Sequence, residues 1–260
     1  MVIWGKPEEI DAMSEAPPLE ELTWTPQMIA RFWDYEKKSQ EEFFTYQVGR
    51  VLVRHFRGFL SESKKIIDYG AGPGFLIEEL LHENRQCAAI EFAPDAVRLV
   101  QSKFQGNPKF LGAHLVGNLQ ELNGQFDVAF LTEVVEHLYD ADLDRCLSCI
   151  RDLLVPGGLL ILTTPNDEDR TKSMLMSPET GRLFHRWQHV RTWTPLALKD
   201  MLQTRGFSPV EIGTTDFGAS LYALRRNRPL LMRMVRATAK WAALILGRKP
   251  PHLFAVAKRN

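Results

Sequence analysis

The chain has 260 residues, of which 45% are hydrophobic and 25% charged, a composition typical of a soluble globular protein with one sizeable core. This composition excludes collagen-like, mucin-like and fully disordered chains. Three cysteines are too few for a disulfide framework, and the first residues lack the basic start and apolar run of a secretory signal, so we expect a reducing, cytoplasmic location.

Charge is distributed unevenly along the chain, although 32 basic and 32 acidic residues leave no net formal charge. The last acidic residue is Asp216, and ten basic residues follow it, so an acidic body precedes a basic tail. No apolar run reaches the roughly 18 residues that cross a bilayer. The sequence therefore predicts a chain that can contact an anionic membrane surface but does not span a membrane.

The N-terminal region, residues 1–60, is predicted to contain a loose leader followed by lid helices. Residues 1–25 are rich in proline and glutamate, whereas the aromatic and aliphatic pattern from Thr25 to about Leu60 favours two helices. Helices ahead of an α/β core often form one wall of a substrate pocket. The alternative is that their aromatic residues only seal the edge of the sheet.

Residues 61–260 alternate short apolar runs with helical stretches, which predicts an α/β domain with a mainly parallel sheet and helices on both faces. The predicted strands are 65–69, 87–92, 111–116, 126–131, 159–163, 209–212 and an antiparallel last strand near 252–259. The predicted helices are 75–84, 94–104, 141–154 and 195–205. Within this domain, residues 217–250 are interpreted as a late helical insertion.

A glycine-rich turn follows the first predicted strand and opens a helix. Its glycines allow a tight turn and a close approach to a ligand, but a dinucleotide-binding spacing would require glycine at position 75, where Phe75 stands. The observed D-x-G-x-G-x-G spacing resembles the first motif of class I S-adenosylmethionine-dependent methyltransferases, which have a Rossmann-like, seven-stranded sheet. The resemblance implies that the loop holds the methionine part of the cofactor. The matching residues are Asp68, Gly70, Gly72 and Gly74.

Other positions fit the same family in order along the chain. Glu91 ends the second strand, where the carboxylate can accept hydrogen bonds from both ribose hydroxyls. Asn118 and Leu119 follow the third strand, where the family usually has an acid that contacts the adenine amine, and an asparagine can also accept from that amine. Thr132, at the end of the fourth strand, is assigned to the same pocket, and Pro156-Gly-Gly158 resembles the family's turn before strand five.

An E-x-x-E-H run leaves the fourth predicted strand. If it forms a helical turn, Glu133, Glu136 and His137 lie on one helix face, because they are three and four residues apart. Two carboxylates and an imidazole on one face suit either a hard-cation site or proton transfer. In a third interpretation, Glu133 lines the cofactor pocket while Glu136 and His137 orient the loop.

The E-x-x-E-H run resembles that of ubiquinone-biosynthesis O-methyltransferases, in which the matching positions bind magnesium. It also resembles that of small-RNA 2′-O-methyltransferases, in which a further downstream histidine completes the metal site. His185 and His189 are the candidates for that histidine, and His189 fits better. The resemblance thus implies a Mg²⁺ site of Glu133, Glu136, His137 and His189, with His189 as a general base without metal as the alternative. The catalytic candidates are His137, His189 and Glu133.

The stretch Leu230–Leu246 is predicted to be a basic amphipathic helix, with Arg233, Arg236 and Lys240 on one face. Such a helix can lie on an anionic membrane and bring the active site to a lipid-borne acceptor. It can equally cap the substrate pocket between the last two strands.

The sequence predicts S-adenosylmethionine-dependent O-methylation of a hydroxyl on a small molecule, either a phenolic quinone precursor or a sugar on a lipid-linked glycan. RNA 2′-O-methylation is the alternative, but the acidic body offers no long cationic groove for phosphates, so nucleic acid is not the expected partner. A cofactor-binding scaffold without catalysis is the non-enzymatic alternative.

Overall fold

The computed structural model describes residues 19–36, 39–60, 64–117, 119–219, 247 and 249–260. Most of the predicted leader, Asn118 and the predicted helix Leu230–Leu246 lie outside the described residues. In the part that is described, no helix combines the length and the apolar character needed to cross a membrane.

A seven-stranded sheet forms the centre of the molecule and confirms the predicted α/β fold. The strands are β1 (Lys65–Tyr69), β2 (Gln86–Glu91), β3 (Phe110–Leu115), β4 (Phe126–Thr132), β5 (Leu154–Pro165), β6 (Met174–Met176), β7 (Leu183–His185), β8 (Phe207–Thr215) and β9 (His252–Arg259). The order across the sheet is β3-β2-β1-β4-β5-β9-β8, with β6 and β7 in a separate hairpin. Among the described strands of the large sheet, β9 alone runs opposite to the other six, as predicted.

Helices cover both faces of the sheet. They are α1 (Pro26–Glu36), α2 (Phe44–His55), α3 (Phe75–His82), α4 (Pro94–Phe104), α5 (Asp140–Leu153) and α6 (Pro195–Thr204). Because side chains alternate along a strand, Ile67 of β1 packs in the cluster that contains Leu147 of α5, and Ile66 packs in the cluster that contains Leu76 of α3. Burying each such side chain contributes roughly 1.5–3 kcal/mol.

Strand β5 differs from the prediction. It begins at Leu154, so the Pro156-Gly-Gly158 segment is an irregularity within the strand and not a turn before it. Leu154 pairs with Phe126 and Leu159 with Val128, so four residues of β5 stand opposite one residue of β4. The backbone accommodates this excess because Gly157 adopts a φ of 75°, in the left-handed region that favours glycine.

The hairpin of β6 and β7 was not predicted. It contacts the N-terminal segment of the described chain. The Leu22 amide donates to the Leu183 carbonyl, and the Leu183 amide donates to the Glu20 carbonyl. Trp24 packs edge-on against Phe184 of β7 and Phe32 of α1. These contacts hold α1 over the edge of the sheet at which β1, β4 and β5 end.

Candidate active site

The segment 70–74, which we call the glycine loop, connects β1 to α3. Gly70, Gly72 and Gly74 have φ values of 81°, 55° and 81°, a region that other residues enter only with strain. The Gly72 amide donates to one carboxylate oxygen of Glu91, at the end of β2. The loop thus brings Glu91 beside the first turn of α3, and it presents backbone amides at the carboxyl edge of the sheet.

Asp68 lies directly before the glycine loop and is 1% exposed. Its Oδ2 atom has no hydrogen-bond partner within the described structure. Burial, and then the charge of Glu91, raise the pKa of Asp68 to about 8. Two neighbouring carboxylates fit a ligand that carries ammonium and hydroxyl donors, which are the groups that S-adenosylmethionine offers on its methionine and ribose parts.

The remaining cofactor candidates lie along the same edge. Leu119 is buried in the core, and Thr132 is buried at the end of β4, where its hydroxyl has no partner among the described side chains. A Cβ on Gly70 would lie 3.0 Å from the side chain of Val134, so the glycine loop contacts the segment that follows β4.

The predicted helical turn over residues 133–137 is wrong. Glu133 adopts a φ of 51°, and its amide donates to the Thr163 carbonyl at 3.0 Å, which extends the pairing of β4 with β5 by one residue. The chain can therefore not wind into a helix at Glu133, and α5 begins only at Asp140. A group of three possible metal ligands forms nearby, with one ligand atom of each residue within 4.8 Å of the others. Its members are Glu136, His137 and His189, and Glu133 is not part of it.

Glu136 is a buried carboxylate, and Glu133 is partly buried. Burial raises the pKa of Glu133 to about 8. Burial, and then the charge of Glu133, raise the pKa of Glu136 well above its usual value. The Thr164 hydroxyl donates to Glu136 Oε2 at 2.9 Å, while Glu136 Oε1 lies 3.8 Å from His137 Nε2 and accepts no hydrogen bond from the described residues.

His137 is neutral in this environment, because burial, and then the charge of His189, lower its pKa to about 3. Its Nδ1 lies 3.4 Å from the Gln188 carbonyl oxygen and donates to it, which leaves Nε2 with a free lone pair on the side of Glu136. The Gln188 side chain donates in turn to the His137 carbonyl at 3.1 Å.

His185 and His189 meet on a carboxylate that the sequence reasoning missed, Glu168 in the loop after β5. Glu168 Oε2 lies 2.5 Å from His189 Nδ1, and Oε1 lies 3.5 Å from His185 Nε2. Burial alone would raise the pKa of Glu168, but hydrogen bonds from the two histidines lower it to about 2. We call Glu136, His137, Glu168, His185 and His189 the histidine cluster.

Glu168 could have been suspected from its position. Asn166-Asp-Glu-Asp169 is a polar run directly after a buried strand, at the carboxyl edge of the sheet where ligands bind in this type of fold. Nothing in the sequence distinguishes Glu168 from its acidic neighbours. Asp167 instead pairs with Lys249, and Asp169 caps the 3₁₀ turn that begins at Arg170.

Aromatic residues of the N-terminal helices lie over the cluster and the glycine loop. Trp33 Nε1 donates to Gln188 Oε1 at 3.1 Å, and the Trp33 ring stands edge-on to His137 with 5.1 Å between centroids. The Phe43 ring lies 6.5 Å from that of Trp33, and a Cβ on Gly72 would lie 3.5 Å from Phe43. One aromatic wall thus covers both parts of the site.

A family model described as a methyltransferase domain matches residues 40–212, a range that contains every site residue named above except Trp33. A ubiquinone biosynthesis O-methyltransferase of Cereibacter sphaeroides is 28% identical over 181 residues, covering 65% of this chain and 71% of the relative. One of Ruegeria pomeroyi is 32% identical over 207 residues, covering 71% of this chain and 80% of the relative.

Among solved structures, the crystal structure of the cyclase SpnF superposes with a TM-score of 0.61. The superposition covers 92% of this chain and 98% of the SpnF chain, at 17% sequence identity. At that identity the likeness concerns the fold alone, because one fold can carry different reactions.

Proposed function

The chain belongs to the S-adenosylmethionine-dependent methyltransferases, and from this premise we propose that it methylates a hydroxyl group on a small, planar acceptor of the phenolic quinone-precursor class. The observation that supports the proposal best is the histidine cluster, which lies under the same aromatic wall of Trp33 and Phe43 that covers the glycine loop. The two relatives described above are ubiquinone O-methyltransferases, and this supports the same acceptor class.

We assign the cofactor to the glycine-loop side of the site. The proposed contacts are Asp68, Gly70, Gly72, Gly74, Glu91, Leu119 and Thr132, and Asn118 stays a prediction from the sequence. The loop amides and the two acidic side chains suit the amino acid and ribose parts of S-adenosylmethionine. Glu133 is proposed to line this pocket, because its buried Oε1 lacks a partner in the described part of the chain.

We assign a divalent cation to the group of Glu136, His137 and His189. Glu136 Oε1 and His137 Nε2 both face the group with free lone pairs, and His189 has one nitrogen left after its contact with Glu168. Such groups repel one another unless a cation or a proton lies between them. Two imidazoles and one carboxylate suit Mn²⁺ or Zn²⁺ better than the predicted Mg²⁺, which prefers oxygen ligands and water.

In the proposed reaction, the acceptor oxygen bonds to the methyl carbon while the bond between that carbon and sulfur breaks, and S-adenosylhomocysteine leaves. The acceptor proton must also leave, and we propose that the free nitrogen of His189 takes it when no cation is bound. A bound cation supplies Lewis-acid polarisation of the acceptor oxygen, and both histidines are then its ligands. In either case the aromatic wall and the cluster hold the acceptor in line with the methyl group, and this positioning supplies much of the rate.

The first test uses methyl-labelled S-adenosylmethionine with a panel of catechols and a cell extract fractionated into lipid, glycan, RNA and protein pools. We expect label in the catechols or the lipid pool, and a loss of transfer with EDTA that Mn²⁺ restores. Label in RNA alone would contradict the acceptor class, and label in glycan alone would favour the lipid-linked sugar.

Matched variants test the role of the cluster in the same assay. Glu136→Gln is expected to lower transfer about 100-fold or more, because an amide cannot ionise and is a weaker cation ligand than a carboxylate. Glu121→Gln makes the same chemical change at an exposed position and should leave transfer unchanged. Equal activity of both variants would remove Glu136 from the mechanism.

Membrane contact through residues 230–246 stays a prediction from the sequence.

A further inference from the structure

The Glu168 carboxylate lies beside two buried imidazoles, those of His185 and His189. His185 is 0% exposed and its ring stacks on that of His189 with 4.4 Å between centroids. Hydrogen bonds also hold the backbone of His189 and of Glu168. Arg170 Nε donates to the His189 carbonyl at 3.1 Å, and the Thr192 hydroxyl donates to the Glu168 carbonyl at 2.9 Å. The carboxylate and both rings thus have little room to move.

The tautomer of His185 is set by the backbone. Its Nδ1 faces the amides of Trp187 and His189 at 3.3 and 3.2 Å, and it must accept from them because backbone amides only donate. In a neutral imidazole the proton is then on Nε2, which lies 3.5 Å from Glu168 Oε1. His185 therefore directs a proton at the carboxylate and cannot offer Nε2 to a metal.

The tautomer of His189 follows from the carboxylate. Nδ1 lies 2.5 Å from Glu168 Oε2, so the proton is on Nδ1 and the Nε2 lone pair stays free. Glu168, His185 and His189 also have ligand atoms within 4.8 Å of one another. Because the Nδ1 proton of His189 and the Nε2 proton of His185 point into that space, this second group is not a second cation site.

We propose that Glu168 is a positioning residue, which holds His189 in the tautomer whose Nε2 lone pair is available to the group of Glu136 and His137. His185 lies beside the other oxygen of the same carboxylate, with its Nε2 atom 3.5 Å from Oε1. The proposal deepens the proposed function and rests on it for the role of His189 in methyl transfer. The tautomer itself does not depend on the identity of the acceptor.

Glu168→Gln separates this role from simple packing, because glutamine has nearly the same shape. His185 keeps its Nε2 proton, since the backbone fixes it, so we expect the amide oxygen and not the amide nitrogen to face that proton. The amide nitrogen then faces His189 Nδ1 and donates to it. The His189 proton must move to Nε2, and the lone pair that the cluster uses is lost.

The experiment measures the ¹⁵N shifts of the imidazole nitrogens in the full chain by long-range ¹H–¹⁵N correlation, at about pH 8, where free imidazole is neutral. In the wild type we expect His189 with a protonated Nδ1 and an unprotonated Nε2. In Glu168→Gln we expect the reverse, and in Glu168→Asp, which keeps a carboxylate, the wild-type pattern. A wild-type His189 that carries its proton on Nε2 overturns the proposal even if no variant folds.

Two functional readouts complete the test. Loss of a carboxylate that orients a ligand histidine typically costs 10- to 100-fold, so Mn²⁺ affinity and kcat should each fall by about that factor in Glu168→Gln, with KM for S-adenosylmethionine unchanged. Asp169→Asn, the same change at the neighbouring exposed carboxylate, is the control and should alter neither. If Glu168→Gln moves the proton of His189 but leaves Mn²⁺ affinity and kcat intact, the positioning role is wrong, whereas a wild type without any methyl transfer contradicts the proposed function instead.

Discussion

The two halves of the site are built in different ways. The cofactor half consists of the glycine loop with Asp68 and Glu91. Most of it comes from seven consecutive residues, and their backbone conformation positions Glu91 and the loop amides. The acceptor half is the histidine cluster, whose members come from the segments after β4 and β5, from the last residue of β7 and from the segment after it. The cofactor half is therefore sensitive to backbone changes, and the acceptor half to the loss of single buried polar groups.

The largest expected effect is in the acceptor half. His189→Ala removes the free imidazole nitrogen and leaves Glu168 without its nearest partner, so we expect methyl transfer to fall about 10²- to 10⁴-fold. The affinity for S-adenosylhomocysteine, measured by calorimetry, should stay within a factor of about two, since His189 is not among the proposed cofactor contacts. His82→Ala, at an exposed position of α3, is the control. A parallel loss of cofactor affinity would mean that the two halves are not separable.

A backbone change should act on the cofactor half instead. Gly74 has a φ of 81°, and a Cβ there would lie 2.9 Å from the Phe104 ring, so Gly74→Ala should lower the free energy of unfolding by about 1–3 kcal/mol and weaken S-adenosylhomocysteine binding. Gly106→Ala is the control, because its Cβ would meet nothing within 4 Å. Urea unfolding and calorimetry measure the two effects. Unchanged binding in Gly74→Ala would show that the loop conformation is not needed for the cofactor.

The pH dependence of stability sharpens the comparison further. The folded-state pKa of Asp68 is raised to about 8, so between pH 3.8 and about 8 the folded state binds more protons than the unfolded state. The contribution of Asp68 to stability is therefore present below that window and is lost as the pH rises through it. Asp68→Asn should remove this loss, so the variant should gain stability relative to the wild type as the pH rises from about 4 to 8.

Urea unfolding of both proteins without cofactor, at several pH values, measures this difference. Because Glu133 also has a raised pKa, the informative quantity is the difference between the two proteins and not the slope of either one. A constant difference across the window would contradict a raised pKa at Asp68.

The smallest effect is expected where the aromatic wall meets the cluster. Trp33→Phe keeps a ring beside His137 but removes the hydrogen bond from Trp33 Nε1 to Gln188. The loss of about 1 kcal/mol should raise the KM for a catechol acceptor roughly fivefold, with little change in kcat. Tyr46→Phe, an exposed ring of α2, is the control. A lower kcat with unchanged KM would assign Trp33 to the chemistry and not to acceptor binding.

The sequence predicted the cofactor half better than the acceptor half, because the cofactor half is built from one local segment. The strand–glycine–helix pattern of Asp68 to Gly74 is local, so its residues, spacing and backbone needs are all visible in the sequence. The E-x-x-E-H run is also local, but its predicted helical turn was wrong, because pairing with Thr163 of β5 holds Glu133 against the sheet. Tertiary hydrogen bonding outweighed the helical spacing.

The sequence by itself determined the α/β class, the positions of the main strands and helices, the antiparallel last strand and the glycine loop. These features follow from hydrophobic periodicity and from glycine geometry, which act over a few neighbouring residues. Only the tertiary structure decided that Pro156-Gly158 lies within β5, that Glu133 is not part of the group of Glu136, His137 and His189, and that Glu168 lies beside His185 and His189. Glu168 and His189 are 21 residues apart in the chain, and a contact between them depends on where two loops end on the sheet, which no local pattern encodes.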